Sequence, residues 1–179
     1  MFARLTRGAR RAAPYESAAA VTSALPKAAT RALLVGSSGG HLTQLYALKP
    51  WWSDRERAWV CFDTPDAVHT LQDESTVWWA HYPTTRNLKN LMRNTWLAWK
   101  VMREFRPTVV LSTGAGVALP FFVFGRLTGV RTVYIEVYDR IETPTLTGRL
   151  CRPFTDLMLV QWPEQAALYD DAIVVGPLL

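Results

Sequence analysis

Short apolar runs rich in β-branched and aromatic residues recur along this chain, each followed by a stretch at helical spacing. That alternation is what most limits the fold. Residues 31–36 form the first run, closed by Gly36, and residues 58–62, 77–80, 109–112, 131–136 and 157–160 repeat it, with a seventh over 172–175. Apolar runs of this length bounded by turn residues read as buried strands. Between them the spacing predicts helices over 41–48, 65–71, 88–105 and 116–127. The second opens on Thr64-Pro65, an N-cap with proline at the first helical position, and the third halts before Pro107. Strands alternating with helices predict an α/β domain with a mainly parallel sheet and helices on both faces. Such sheets bind ligands beyond the carboxyl ends of their strands, near the reversal in strand order. The loops after Val35, Phe62, Ser112 and Glu136 are therefore expected in one neighbourhood.

Composition divides the chain in two. Of 179 residues 49% are hydrophobic, enough for one compact core and incompatible with disorder throughout. The formal net charge is +5, and all of it lies in residues 1–31, where Arg4, Arg7, Arg10, Arg11, Lys27 and Arg31 face Glu16 alone. Residues 1–30 are expected to be a flexible basic tail, solvated or touching an anionic surface, and residues 31–179 a single, charge-balanced domain. No continuous apolar signal region appears in that tail. The longest apolar run, 117–124, falls far short of the ~20 residues a membrane span needs, so any membrane contact is expected from the side. Cys61 and Cys151 fit no CxxC or disulfide framework and read as reduced core residues of a cytosolic protein.

Two glycine-rich turns follow predicted strands. Gly36-Ser-Ser-Gly-Gly-His41 opens a helix, where glycine permits close backbone approach and N-terminal N–H groups favour anionic oxygens. The dinucleotide pattern GxGxxG fails at Ser38 and His41, and the P-loop fails for want of a following Lys-Ser or Lys-Thr. His41 is a general base, a donor to a phosphate or hydroxyl, or a cap at the turn. Ser112-Thr-Gly-Ala-Gly116 repeats the arrangement after the fourth strand. Glu136 closes the fifth strand as a candidate base, a ligand for a sugar hydroxyl, or an ion-pair partner of Arg140 or Arg131.

In the long helix Leu88, Leu91, Met92, Thr95, Trp96, Trp99 and Met102 fall on one stripe, with Lys89, Arg93, Lys100 and Arg103 mainly on the other side. One reading packs the stripe on the sheet. The other lays the helix in a lipid interface, where tryptophan and basic residues are favoured, and eight tryptophans sustain it.

Taken in order, Gly36-Ser-Ser-Gly-Gly-His-Leu-Thr-Gln-Leu45, Val110-Leu-Ser-Thr-Gly-Ala-Gly116, Tyr134-Ile-Glu136, Leu146-Thr-Gly-Arg149 and Val160-Gln-Trp162 resemble the pattern of the Alg-fourteen-like family of oligosaccharide biosynthesis proteins. The resemblance covers residues 31–179 and is nearer to the bacterial capsule and exopolysaccharide (PssD-type) members than to the eukaryotic subunit. It implies a Rossmann-like domain equivalent to the N-terminal, acceptor-side half of a GT-B glycosyltransferase. It further implies an Alg-thirteen-like or PssE-type catalytic partner that carries the UDP-sugar, of the UDP-GlcNAc type, so that this chain binds no cofactor or metal of its own. The acceptor would be a sugar on a polyprenyl diphosphate, presented at the cytoplasmic face of the membrane by a peripherally attached subunit, with no role for nucleic acid.

On this resemblance Ser37, Ser38, Gly39, Gly40, Thr113, Gly114 and Gly116 would hold the acceptor's phosphates. His41, ahead of Glu136, would be the catalytic base. Arg93, Trp96, Trp99 and Lys100 would touch the membrane, and Gly176, Pro177, Leu178 and Leu179 the partner. The basic, polar tail departs from the N-terminal transmembrane anchor typical of eukaryotic members. Two other functions stand beside this one: a membrane scaffold without chemistry, and a self-sufficient nucleotide-binding enzyme, against which the length of the chain argues.

Overall fold

The computed structural model describes residues 17–179. In chain order its elements are α1 (Ser17–Ala24), β1 (Arg31–Val35), α2 (Gly40–Ala47), α3 (Lys49–Trp52), β2 (Glu56–Phe62), α4 (Pro65–Thr70), β3 (Val77–Ala80), α5 (Leu88–Phe105) and β4 (Val109–Ser112). There follow α6 (Ala118–Thr128), β5 (Arg131–Ile135), α7 (Leu146–Cys151) with a 3-10 turn over Arg152–Phe154, β6 (Leu157–Val160), α8 (Pro163–Ala166) and β7 (Ile173–Val174). All seven strands are parallel, in the order β3-β2-β1-β4-β5-β6-β7. The expected α/β class and parallel sheet are what the chain adopts.

Strand alternation sends successive side chains to opposite faces, and both faces are covered. Leu34, Trp59, Leu111 and Leu159 meet Leu45, Trp52 and Val21 on one side. Leu33, Val35, Val110 and Val160 meet Ala98, Phe121 and Phe122 on the other. The chain spreads from β1 outward to β2 and β3, then returns to place β4 on the other flank. The strand order therefore reverses between β1 and β4, whose last residues, Val35 and Ser112, are paired. A crevice at that reversal is the normal ligand position in an open parallel sheet.

Two expectations need correction. The lead-in was expected to stay flexible through residue 30, yet Ser17–Ala24 is helical and Val21 and Leu25 are buried in the first core. Apolar side chains four apart place one face of that short helix against Trp51 and its neighbours, and the Trp51 indole donates to the Pro26 carbonyl (3.3 Å). The part of the tail before residue 17 lies outside the described residues. The second correction concerns α5. Its buried face is Asn90, Asn94, Ala98, Val101, Met102 and Phe105, so of the apolar stripe only Met102 packs inward. Asn94 donates to the His81 carbonyl (2.9 Å) and accepts from the His81 N–H (2.8 Å), while Asn90 donates to the Pro83 carbonyl (3.0 Å). Buried side-chain amides must be satisfied, and backbone groups of the preceding loop satisfy these two.

Candidate functional site

A cavity of about 590 Å³ opens at the carboxyl ends of β1, β4 and β5. Its walls come from the loop before α2 (Ser37, Ser38, His41), the 82–85 segment tied to α5, the turn after β4 (Ala115, Gly116) and the segment after β5 (Val137, Asp139, Arg140, Thr145, Thr147). The four loops expected to converge include three of these walls, and Phe62 and Thr64 after β2 complete the fourth.

His41 is held in the cavity wall by two hydrogen bonds with Thr113. Its Nδ1 lies 2.8 Å from the Thr113 carbonyl oxygen. A carbonyl only accepts, so Nδ1 carries the proton and Nε2 is left as an acceptor on a ring that lines the cavity. Thr113 returns the contact, its hydroxyl donating to the His41 carbonyl at 2.9 Å. Burial lowers the imidazole pKa from its ordinary 6.5; the Thr113 bond and the charges of Asp139 and Glu136 oppose that shift without cancelling it. The ring is thus neutral near pH 7. Gly114 makes the seat possible. Its φ is +117°, and a Cβ there would stand 3.0 Å from both His41 Cε1 and the Tyr134 hydroxyl.

The expected phosphate-binding residues separate into two groups. Ser37, Ser38 and Gly116 line the cavity. Thr113 and Gly114 are buried behind the imidazole and position it. Gly39 and Gly40 are exposed, do not line the cavity, and the Gly39 N–H is already bound by Asp66 Oδ2 at 3.0 Å. A carboxylate therefore occupies the helix end that an anion was expected to take.

Glu136 is corrected as a catalytic candidate. It is 0% exposed, absent from the cavity wall, and paired with neither Arg140 nor Arg131. Its oxygens accept from the Val137 N–H (3.0 Å), the Thr145 hydroxyl (3.0 Å), the Thr145 N–H (3.3 Å) and the Tyr169 hydroxyl. Burial and the nearby Glu136 charge push the Tyr134 phenol well up, and burial with the Glu136 hydrogen bond does the same to Tyr169. Glu136 fastens the segment leading into α7. Gly148 is required there, since a Cβ would fall 2.6 Å from Glu136 Oε2 and closer still to the Tyr169 hydroxyl.

Arg140, Asp139, Thr84 and Thr85 in the cavity wall escaped sequence reasoning. Their place in the wall follows from how the segments before α5 and after β5 pack, which no local sequence pattern marks.

Away from the cavity, the stripe of α5 faces outward. Met92 is 74% exposed and Trp96 66%, and Leu91, Met92, Thr95, Trp96 and Trp99 form with Phe124 of α6 an apolar groove of about 490 Å³. The Trp96 and Trp99 rings stack at 4.7 Å, and the Arg103 guanidinium lies over Trp99. Arg93 and Lys100 are exposed on the same helix. Among the described residues no helix is long and apolar enough to cross a membrane. At the last strand the expected row of exposed partner-binding residues is broken up. Gly176 and Leu178 are buried, the Leu178 N–H donates to Gln161 Oε1 (2.9 Å), and Leu179 is 62% exposed.

Residues 79–178 match the family described as oligosaccharide biosynthesis protein Alg14 like. The chain belongs to that family. Among relatives of the Alg14-like chain is the UDP-N-acetylglucosamine transferase subunit ALG14 of Mus musculus, 26% identical over 185 residues, covering 86% of this chain and 85% of the relative. The Oceanobacillus iheyensis UDP-N-acetylglucosamine–N-acetylmuramyl-(pentapeptide) pyrophosphoryl-undecaprenol N-acetylglucosamine transferase is 27% identical over 145 residues, covering 72% of this chain and 39% of that enzyme. The fold is shared with crystalline Acinetobacter baumannii MurG, at a TM-score of 0.65 and 15% identity over 80% of this chain. The Alg14-like chain spans 45% of that MurG structure. The likeness gives it a GT-B type, Rossmann-like fold.

Proposed function

We propose that this Alg14-like chain is the acceptor-side subunit of a two-chain glycosyltransferase, which moves a GlcNAc-type sugar from a UDP donor to a sugar on a polyprenyl diphosphate. The observation that carries this reading is the seating of His41: a neutral imidazole, proton fixed on Nδ1, with Nε2 available on the wall of a cavity at the strand reversal. Such a ring takes the proton of an acceptor hydroxyl as its oxygen bonds to the donor's anomeric carbon and UDP departs. The imidazolium so formed is favoured by the Asp139 carboxylate on the same wall. A PssE-type or Alg-thirteen-like partner supplies the nucleotide-sugar half. Support comes from relatives of nearly the same extent that are named as transferase subunits.

The outward stripe of α5 supports peripheral attachment at the cytoplasmic face of the membrane. It begins at Leu88, three residues past the cavity wall at Thr85, and carries Trp96 and Trp99 beside Arg93 and Lys100. Tryptophan and basic residues together favour an anionic lipid interface.

The test assays sugar transfer to membrane lipid with this chain alone, the partner alone, and both together. Transfer only by the pair is expected, with His41→Ala lowering kcat about 10²–10⁴-fold. Transfer by this chain alone overturns the two-chain reading. Full activity of the His41→Ala pair would leave a scaffold without chemistry.

A further inference from the structure

The glycine-rich loop at the head of α2 is badly placed to hold an anion. Its Gly39 N–H is given to Asp66, and Gly39 and Gly40 face solvent outside the cavity. His41, held neutral, adds no fixed positive charge. The Ser37, Ser38, Thr84, Thr85, Thr145 and Thr147 side chains are neutral, and Asp139 is acidic. Among the residues that line the cavity, Arg140 alone carries a permanent positive charge. No ion-pair partner for it is found among the described residues.

The backbone that presents Arg140 is fixed by side chains. Gln161 Nε2 donates to the Glu136 carbonyl (2.9 Å), Gln165 Nε2 to the carbonyls of Val137 (2.7 Å) and Arg140 (3.1 Å), and the Trp162 indole to that of Tyr138 (2.7 Å). Gln161 and Gln165 are wholly buried. A buried amide is costly unless its hydrogen bonds are made, and here they are made to three carbonyls of a segment whose own side chains Tyr138, Asp139 and Arg140 are exposed. This is a hydrogen-bonded platform under an exposed guanidinium in the cavity wall. A planar guanidinium with several fixed donors suits bidentate contact with phosphoryl oxygens.

Resting on the acceptor reading above, we propose that Arg140 is the residue that binds the acceptor's diphosphate, with the cavity hydroxyls completing the contact. The glycine loop then serves to seat His41 and not to hold the anion. The Asp139 carboxylate beside it repels a bare anion, so the guanidinium must engage the diphosphate directly for it to enter.

The full chain is titrated with farnesyl diphosphate, with farnesol as the ligand lacking the anion and inorganic pyrophosphate as the ligand lacking the chain. Wild type should bind farnesyl diphosphate in preference to farnesol, and pyrophosphate should compete. Arg140→Met should weaken farnesyl diphosphate about 10- to 100-fold, the loss of a charge-assisted contact, with melting unchanged because the side chain is exposed. Arg140→Lys, which keeps charge but not the fork, should fall between. Arg131→Met removes the same charge at the opposite end of the sheet and should bind as wild type. Wild-type affinity in Arg140→Met, or an equal loss in Arg131→Met, overturns the Arg140 assignment while leaving the acceptor reading standing. Equal binding of farnesol and farnesyl diphosphate by wild type overturns both.

Discussion

His41 is held neutral by burial and oriented by Thr113, and each half of that statement has its own consequence. If the neutral ring is the base, turnover by the paired enzyme rises with pH along a limb whose apparent pKa lies below 6.5. Stability follows the same titration. The unfolded chain binds the proton more readily, so between the lowered pKa and 6.5 it carries more protons than the folded state, and stability rises with pH through that window. Melts of wild type and His41→Gln between pH 7 and pH 5 check the sign: wild type should lose the more stability on acidification, and parallel curves refute it. Orientation is tested at Gly114, where a Cβ would stand 3.0 Å from His41 Cε1. Gly114→Ala should lower turnover about 10²-fold, the scale of a misplacement near 1 Å, with KM for the donor unchanged. His41 was legible in the sequence because Gly-Gly-His after a strand is a local signal. Arg140 was not, since its meaning depends on Gln161 and Gln165, which reach it only through the packing of α8 and β6 on the segment after β5.

At the scale of one element, α5 shows where pattern reading fails. The 3.6-residue period correctly located the helix and its stop before Pro107, and the strands at 77–80, 109–112 and 157–160 fall where their apolar runs placed them. Periodicity gives a face its composition but not its neighbour. Here the inward face includes two asparagines, whose amides are satisfied by backbone groups of the loop from His81 to Pro83. The helix therefore responds to substitution in the reverse of its hydrophobicity. Asn94→Leu, though apolar and buried, should destabilise the fold by about 1–3 kcal/mol by orphaning the His81 N–H and carbonyl. Trp96→Ser with Trp99→Ser removes large apolar groups yet should shift unfolding by no more than about 0.5 kcal/mol. The same double variant should bind vesicles containing anionic lipid at least about tenfold more weakly. Chemical denaturation and vesicle sedimentation of the two variants read both effects. A tryptophan pair whose loss unfolds the protein would return the stripe to the core.

Across the whole molecule, one buried amide ties the helix that carries His41 to the far end of the sheet. Gln161 donates to Gln44 Oε1 on α2 (2.6 Å) and to the Glu136 carbonyl, and accepts from the Leu178 N–H (2.9 Å). The helix that carries His41, the segment that carries Arg140 and the residues beyond β7 are thus joined at a single side chain. The docking of a partner proposed at residues 176–179 must respect that junction. Leu178 is 7% exposed and packs in the same core as Val175, whereas Leu179 is exposed, as are Ile173 and Val174 of the edge strand. An apolar edge of this kind is a natural site for another chain. The two adjacent leucines should therefore part company under mutation. Leu178→Ala should cost about 2 kcal/mol or more of stability through the cavity it leaves, and weaken pairing only as far as it unfolds the chain. Leu179→Asp should leave the melt unchanged and reduce recovery of the complex with the proposed catalytic partner about tenfold, the effect of one anchor residue at an interface. Calorimetry of each variant alone, followed by co-purification, separates the two roles, and a Leu179→Asp chain that still pairs fully would move the partner's footprint off this edge.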